Sequence, residues 1–526
     1  QKSRPFCSGP LRRNGRLAMS AVLAVTWAFP RLFRQNTSVS QKEVHDEHES
    51  ERNAAPSSEE TGPFSRSAHL PTVACAGLAS VSGLASRPDG SGSKALIAVA
   101  NYYGTAAFFG VYFQEGRCSS QGPHVICTPD SVFVSEEQRV PEQAGMQMTH
   151  DWELARIDAD TTLLIGAGDG HSLVYLLRQP GAAQLPGVEL PCADSDGRCA
   201  GWAKGGECAR NADFMRTSCA RSCAACAPPE DGARPLQLVQ RIATRGAAAA
   251  EAFAHGGRHF LAVASAADPA HGVLVLEWQR GRGMYVEFTK LAVTGVAELG
   301  SCLLPSGRVL LGLATWHAGG SFTGESHLYD FDPARTPPLE LRQSLPTHGA
   351  HDLECFTLAE GEGGQGQGGL HLAVANARSD ASRAHDVVLY RYDEPTELFA
   401  EAQRLPSLGA HDVELMSAPD GERLLGVANQ GDGADCATGS LDVYARRSGR
   451  WALVQRLRAG CATYASSFVL AGKLHVALAV ERTGADESDQ QSYRAESPVY
   501  VYKGQRLGIW TVDSNFKRIP ETVLED

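Results

Sequence analysis

The apolar residues of this chain fall into short runs of strand length, and the runs repeat. From Gln343 the sequence reads QSLPTHGAHDLE, then LHLAVAN, VVLYRY and LFAEA. At Gln403 it begins again with QRLPSLGAHDVE, LLGVAN, LDVY and WALV, and Gln455 opens a third pass. A period of roughly 50–60 residues with several apolar runs inside it is the signature of a propeller or array. The clearest unit holds four runs, Leu353–Leu358, Leu372–Ala375, Val387–Tyr392 and Leu398–Leu405, rich in Val, Leu, Tyr and Phe and divided by Gly, Asp and Ser. These are predicted strands. No run is long or periodic enough for a sustained amphipathic helix.

One four-stranded meander cannot bury both faces, whereas sheets stacked radially around an axis can. The same phrases are traceable in both directions, as HFLAVAS (His259–Ser265), VLLGLAT (Val309–Thr315), LLIGAG (Leu163–Gly168), ALIAVAN (Ala95–Asn101) and LHVALAVE (Leu474–Glu481). Seven units result. The expected fold is all-β, a seven-bladed β-propeller over residues 71–190 and 228–520, with Ile509–Ile519 as the last strand of the seventh unit and 521–526 as a tail.

These phrases resemble the EAR (EPTP) repeats of the leucine-rich glioma-inactivated family. The matching residues are Gly349-Ala350-His351-Asp352 with Glu354, Ala373-Val374-Ala375-Asn376, and Val388-Leu389-Tyr390-Arg391-Tyr392. The resemblance implies a propeller that binds protein partners outside the cell and does no catalysis.

A net charge of −12 argues against a nucleic-acid partner. Part of it lies in residues 34–70, a polar, Ser- and Glu-rich segment with too little apolar surface to order itself, expected to be a linker. Before it, in residues 1–33, Arg12, Arg13 and Arg16 precede an apolar run from Leu17 to Phe29. That order suits a secretory signal, and the run is short for a membrane span, although anchoring through residues 17–29 is the alternative. The chain has 14 cysteines, which favours an oxidising compartment. Cys118 and Cys127 lie in an insertion of the first unit, where a bridge would staple a hairpin tip. Sequence leaves the partners of Cys302, Cys355, Cys436 and Cys461 open.

The second unit is interrupted between its third run, Leu173–Leu177, and its fourth, PLQLVQRI from Pro235. Residues 191–227 carry Cys192, Cys199, Cys208, Cys219, Cys223 and Cys226 in the spacing C-x6-C-x8-C-x10-C-x3-C-x2-C. So small a segment cannot build an adequate apolar core and needs staples. A zinc site is the competing reading of Cys223-x2-Cys226, but the segment has one CxxC and no nearby His. The spacing, with Asp194, Trp202-Ala203, Gly206-Glu207-Cys208, Asn211, Phe214-Met215 and Ser222-Cys223, resembles the ShKT domain. The resemblance implies the pairs Cys192–Cys226, Cys199–Cys219 and Cys208–Cys223. The channel-blocking Lys-Tyr pair of the toxins corresponds here to Asp213 and Phe214, so no potassium-channel block is expected.

Candidate chemistry centres on His150-Asp151, His351-Asp352 and His411-Asp412. The chain has no G-x-S-x-G, H-E-x-x-H or phosphate loop. Recurrence in register favours a structural role, in which the Asp caps the turn into the innermost strand. A functional alternative is a Ca²⁺ site formed by Asp151, Asp352 and Asp412 around the channel axis. No other cofactor is expected. The sequence thus reads as a secreted or surface-anchored scaffold that recognises an extracellular or membrane protein. The rival reading is a propeller hydrolase or lyase acting at the channel mouth.

Overall fold

The computed structural model describes residues 64–504 apart from stretches between strands, the longest being 85–93, 224–234, 360–367 and 485–492. Seven four-stranded antiparallel sheets follow one another along the chain. In blade 5 the strands are Ala350–Leu358, Gly369–Asn376, Val387–Asp393 and Leu398–Leu405, so each run read from the sequence is a strand. Gly369–Asn376 is buried at every position after its first, which explains the unbroken apolar phrase LHLAVAN: neighbouring blades cover both faces. Leu398–Leu405, at the rim, is buried at only two positions.

The core is seven apolar clusters, each formed across one blade–blade interface. Between blades 5 and 6, Phe356, Val387 and Leu389 meet Val413, Val427 and Trp451. Between blades 7 and 1, Phe468, Leu470 and Val499 meet Leu78, Ile97 and Phe109, so the ring is closed. Each such side chain contributes about 1.5–3 kcal/mol on burial.

Blade 7 departs from the sequence reading. Its strands are Ala462–Leu470, Lys473–Val480 and Glu496–Tyr502, and its outermost strand is Phe64–Pro71. The expected linker therefore ends earlier, because Phe64 and Leu70 have an apolar interface to fill. Phe64 pairs with Tyr502 and Pro71 with Glu496. The position assigned to Ile509–Ile519 is taken, and that segment lies outside the described residues.

The glutamines that mark the repeat have a specific task. Each lies beside a β-bulge in an outermost strand, where the extra residue re-aims its neighbours. The Gln343 amide donates to the Phe399 carbonyl at 2.8 Å and accepts from the Phe399 N–H at 2.9 Å. Gln403 clamps Trp451 at 2.7 and 3.0 Å. Gln240 clamps Tyr285 at 2.7 and 2.8 Å. Gln455 clamps Phe64 at 3.1 and 2.8 Å, fastening the N-terminal strand to blade 6. The rim strand of one blade thus holds that of the next by main-chain mimicry.

Two insertions leave the ring between the third and fourth strands of adjacent blades. In blade 1 the hairpin Cys118–Gln121 and His124–Cys127 sets Cys118 opposite Cys127 in backbone register. In blade 2, between His171–Leu177 and Leu236–Ala243, sits the six-cysteine module. Helices Cys199–Lys204 and Glu207–Arg210 carry it, with Met215 buried against Cys199 and Cys219. Cys199–Cys219 and Cys208–Cys223 are disulfides, as the resemblance implied, while Cys192, Cys226, Asp213 and Phe214 lie outside the described residues. Because Cys223 is bonded to Cys208, it is not available to pair with Cys226 as a zinc-binding CxxC. Asp194 accepts bonds from the Ser222 hydroxyl at 2.6 Å and N–H at 2.9 Å, which hold its carboxyl below the usual range.

Two further disulfides staple blades together, Cys302–Cys355 between blades 4 and 5 and Cys436–Cys461 between blades 6 and 7. Cys75 is free and buried, and burial pushes its thiol up to about 12. Peptide mapping of native protein should return the four bridges named here. Cys75 should alkylate only after unfolding; rapid labelling of Cys75 in the native state would show that blade 1 is open.

Candidate functional site

The innermost strands surround the central channel, and each carries the same irregularity near its start. Two residues oppose one of the second strand at His150, His351 and His411, and at Ala248, Ala297 and Thr463 in blades 3, 4 and 7. A bulge of this kind turns one extra side chain out of the alternation. It explains the adjacent His-Asp pairs: the bulged His and the following Asp serve different surroundings. The glycine before this strand, Gly349 with φ 51° and Gly409 with φ 66°, adopts the left-handed conformation that starts the turn.

The aspartates bond backbone on two sides: Asp352 Oδ1 accepts the N–H of Leu353 on its own strand at 2.7 Å, and all three reach across to the next blade. Asp151 Oδ2 accepts the Ala250 N–H at 3.0 Å, Asp352 Oδ2 the Val413 N–H at 2.9 Å, and Asp412 Oδ2 the Ala465 N–H at 2.8 Å. Two residues further in, glutamates do the same. Glu153 accepts from Ala252 at 3.3 Å and Glu414 from Ser467 at 2.9 Å. An innermost strand has a free edge toward the axis, and its N–H groups need acceptors. Blade 4 has Gly300 at the glutamate position, where a Cβ would lie 2.2 Å from the Leu353 carbonyl oxygen.

Eight channel carboxyls result among the described residues: Asp151, Glu153, Glu251, Glu298, Asp352, Glu354, Asp412 and Glu414. All have raised pKa values, with burial as the leading cause. Asp352 and Glu414 are pushed up to about 7, and Glu354 rises well above its ordinary value as Glu414 and Asp352 add repulsion. The sequence reading named three of these groups. The glutamates were not offered as site residues, and Glu354 entered only as part of the repeat phrase, although Glu153, Glu354 and Glu414 stand in a fixed place, two residues after each Asp. Among the described residues no group of three or more His, Cys, Asp or Glu side chains is gathered as a metal site. Asp151, Asp352 and Asp412 each have one oxygen engaged by a backbone N–H of the next blade.

Above the acids, His351 and His411 stack with ring centroids 3.9 Å apart. Trp316 stands edge-on to His351 at 4.4 Å and to Phe322 at 4.8 Å. Burial, reinforced by the charge of Arg383, lowers His351 to about 3 and His411 well below its usual value. Burial alone lowers His150 to about 4. All three imidazoles are neutral at pH 7. His351 and His411 nevertheless keep part of their surface accessible. Enclosure with access is the condition of a channel lining. Antiparallel pairing puts this mouth at the end of the ring opposite the hairpin and the six-cysteine module.

Residues 191–226 match the family described as ShK domain-like. No curated protein matches the chain. Among solved structures, BBS1N in complex with ARL6DN is 11% identical, covering 84% of this chain and 97% of that one with a TM-score of 0.43. Hydrazine synthase of Kuenenia stuttgartiensis is 11% identical over 78% and 93% with a TM-score of 0.40. A Bacteroides fragilis protein assigned as a 6-phosphogluconolactonase is 10% identical over 81% and 90% with a TM-score of 0.38. The chain is a seven-bladed propeller with an ShK-like module in its second blade.

Proposed function

We propose that this protein is an extracellular or cell-surface recognition scaffold, built from EAR-type repeats and exported by the apolar run at 17–29. Its partner is an extracellular or membrane protein. One observation carries the reading. The blade 1 hairpin and the ShK-like module leave the ring at the same loop of neighbouring blades, so two inserted elements share one face. Insertions on a rigid scaffold are where binding concentrates. Cross-linked loops lose less entropy at an interface.

The test is deletion of residues 191–226 with Leu190 and Ala227 rejoined by a short turn. The ring should keep its melting temperature within a few degrees, because no apolar cluster of the propeller includes a module residue. Capture of the partner retained by the full chain should be lost; undiminished capture would refute the reading. The rival reading, an enzyme at the channel mouth, draws support from the grouping of His351, His411 and Arg383. Against it, the neighbouring carboxylates that would act as bases are held by backbone N–H groups.

A further inference from the structure

The loops between second and third strands of blades 5 and 7 bring Arg378, Arg383 and Arg482 to the histidine end of the channel. Arg383 donates one N–H to Gln430 Oε1, and the Gln430 amide donates to Glu481 at 2.7 Å. Among the described residues Arg383 makes no ion pair; its immediate partner is a neutral amide. Arg378 lies 4.2 Å over the Phe322 ring. Burial first, then the charge of Arg378, weaken the hold of Arg383 on its proton; Arg482 adds to them, while Glu481 and Asp432 oppose them without reversing the direction. A half-buried cation whose charge is still disfavoured gains from an anion that bonds it directly. His411 Nε2 is a second unsatisfied group, buried with no hydrogen-bond partner.

We propose that this mouth binds a ligand carboxylate between the Arg383 guanidinium and the His411 ring nitrogen, with the ligand's carbon skeleton against Trp316. The planar fork of an arginine matches a carboxylate. The Glu481 and Asp432 carboxylates near Arg383 oppose further negative charge, and oppose a dianion about twice as strongly as a monoanion. A carboxylate is therefore favoured over a phosphate monoester. The site lies at the other end of the ring from the module and is independent of the partner face proposed above.

Two sources supply such a group, a free carboxylic acid or an acidic side chain of a bound chain. Calorimetric titration at constant ionic strength with acetate, with N-acetyl-glutamate amide and with inorganic phosphate separates them. Saturable binding of both carboxylates assigns a free acid as sufficient. Binding of the capped glutamate alone assigns an acidic peptide. In either case Arg383→Gln should weaken binding at least about tenfold, the loss of one charge-assisted hydrogen bond, and Arg383→Lys should recover part of it. The ring-nitrogen NMR signals of His411 should move on titration of the unaltered protein, a readout that needs no variant. Failure of both carboxylates to bind saturably overturns the proposal, as does unchanged binding by a folded Arg383→Gln protein. Tighter binding of phosphate than of either carboxylate also overturns it.

Discussion

A chain that begins at Thr72 should fail to form a stable ring. Removal of Phe64–Pro71 leaves blade 7 with three strands, exposes the Tyr500 and Tyr502 face that Phe64 covers, and leaves Gln455 with no strand to clamp. The truncated protein should aggregate or melt tens of degrees lower. Point variants grade the effect. Phe64→Ala deletes a ring that is 1% exposed, and such truncations cost about 3–5 kcal/mol. Gln455→Ala removes two hydrogen bonds and strands a buried N–H and carbonyl, costing about 2–4 kcal/mol. Thermal unfolding of the three proteins checks the order. A truncated chain as stable as the full one would mean that another segment completes blade 7.

Stability should also fall as pH rises from about 6.5 to 8.5. The native channel retains protons on Asp352, Glu251 and Glu414, all pushed up to about 7, whereas unfolded carboxyls release theirs near pH 4. The native state therefore binds more protons, and stability decreases with pH. Below about 6.5 the buried histidines act in the opposite sense, because the unfolded state protonates them first. Between about pH 4.5 and 6.5 the two effects oppose each other, and above that range only the acids contribute. For a group such as Glu414 the penalty at high pH is about 2–3 kcal/mol. Glu414→Gln keeps an acceptor for the Ser467 N–H, so it should be more stable than the native chain at pH 8 and flatten the dependence. Denaturant unfolding at both pH values is the check. A flat or rising profile above pH 6.5 would mean that the channel carboxyls are ionised throughout.

The ring and its repeat were legible because a propeller is a local fold. Each meander pairs neighbours in sequence, and the apolar phrase of each second strand, such as Gly369–Asn376, is written without interruption. Ring closure was illegible for the opposite reason. Phe64–Pro71 pairs with residues more than four hundred positions away, and its polar surroundings masked its apolar positions. The site was half legible. His351-Asp352 and His411-Asp412 stood out, but their recurrence in register suggested a cap, and only the bulge shows why the two side chains part. Trp316, Arg383 and Gln430 come from three blades and share no sequence phrase, so nothing short of the fold brings them to one mouth.

Ring closure by an N-terminal strand also sets an order of events on the ribosome. Phe64–Pro71 leaves the exit tunnel first, yet its partner Glu496–Tyr502 is made roughly 425 residues later. At about 5–20 residues per second the strand waits from about twenty seconds to more than a minute. Throughout that interval its pairing edge and Phe64 and Leu70 have no native cover, and residues 34–63 immediately ahead of it are polar and acidic. Lengthening or neutralising that segment should therefore alter yield during synthesis while leaving the finished ring unchanged.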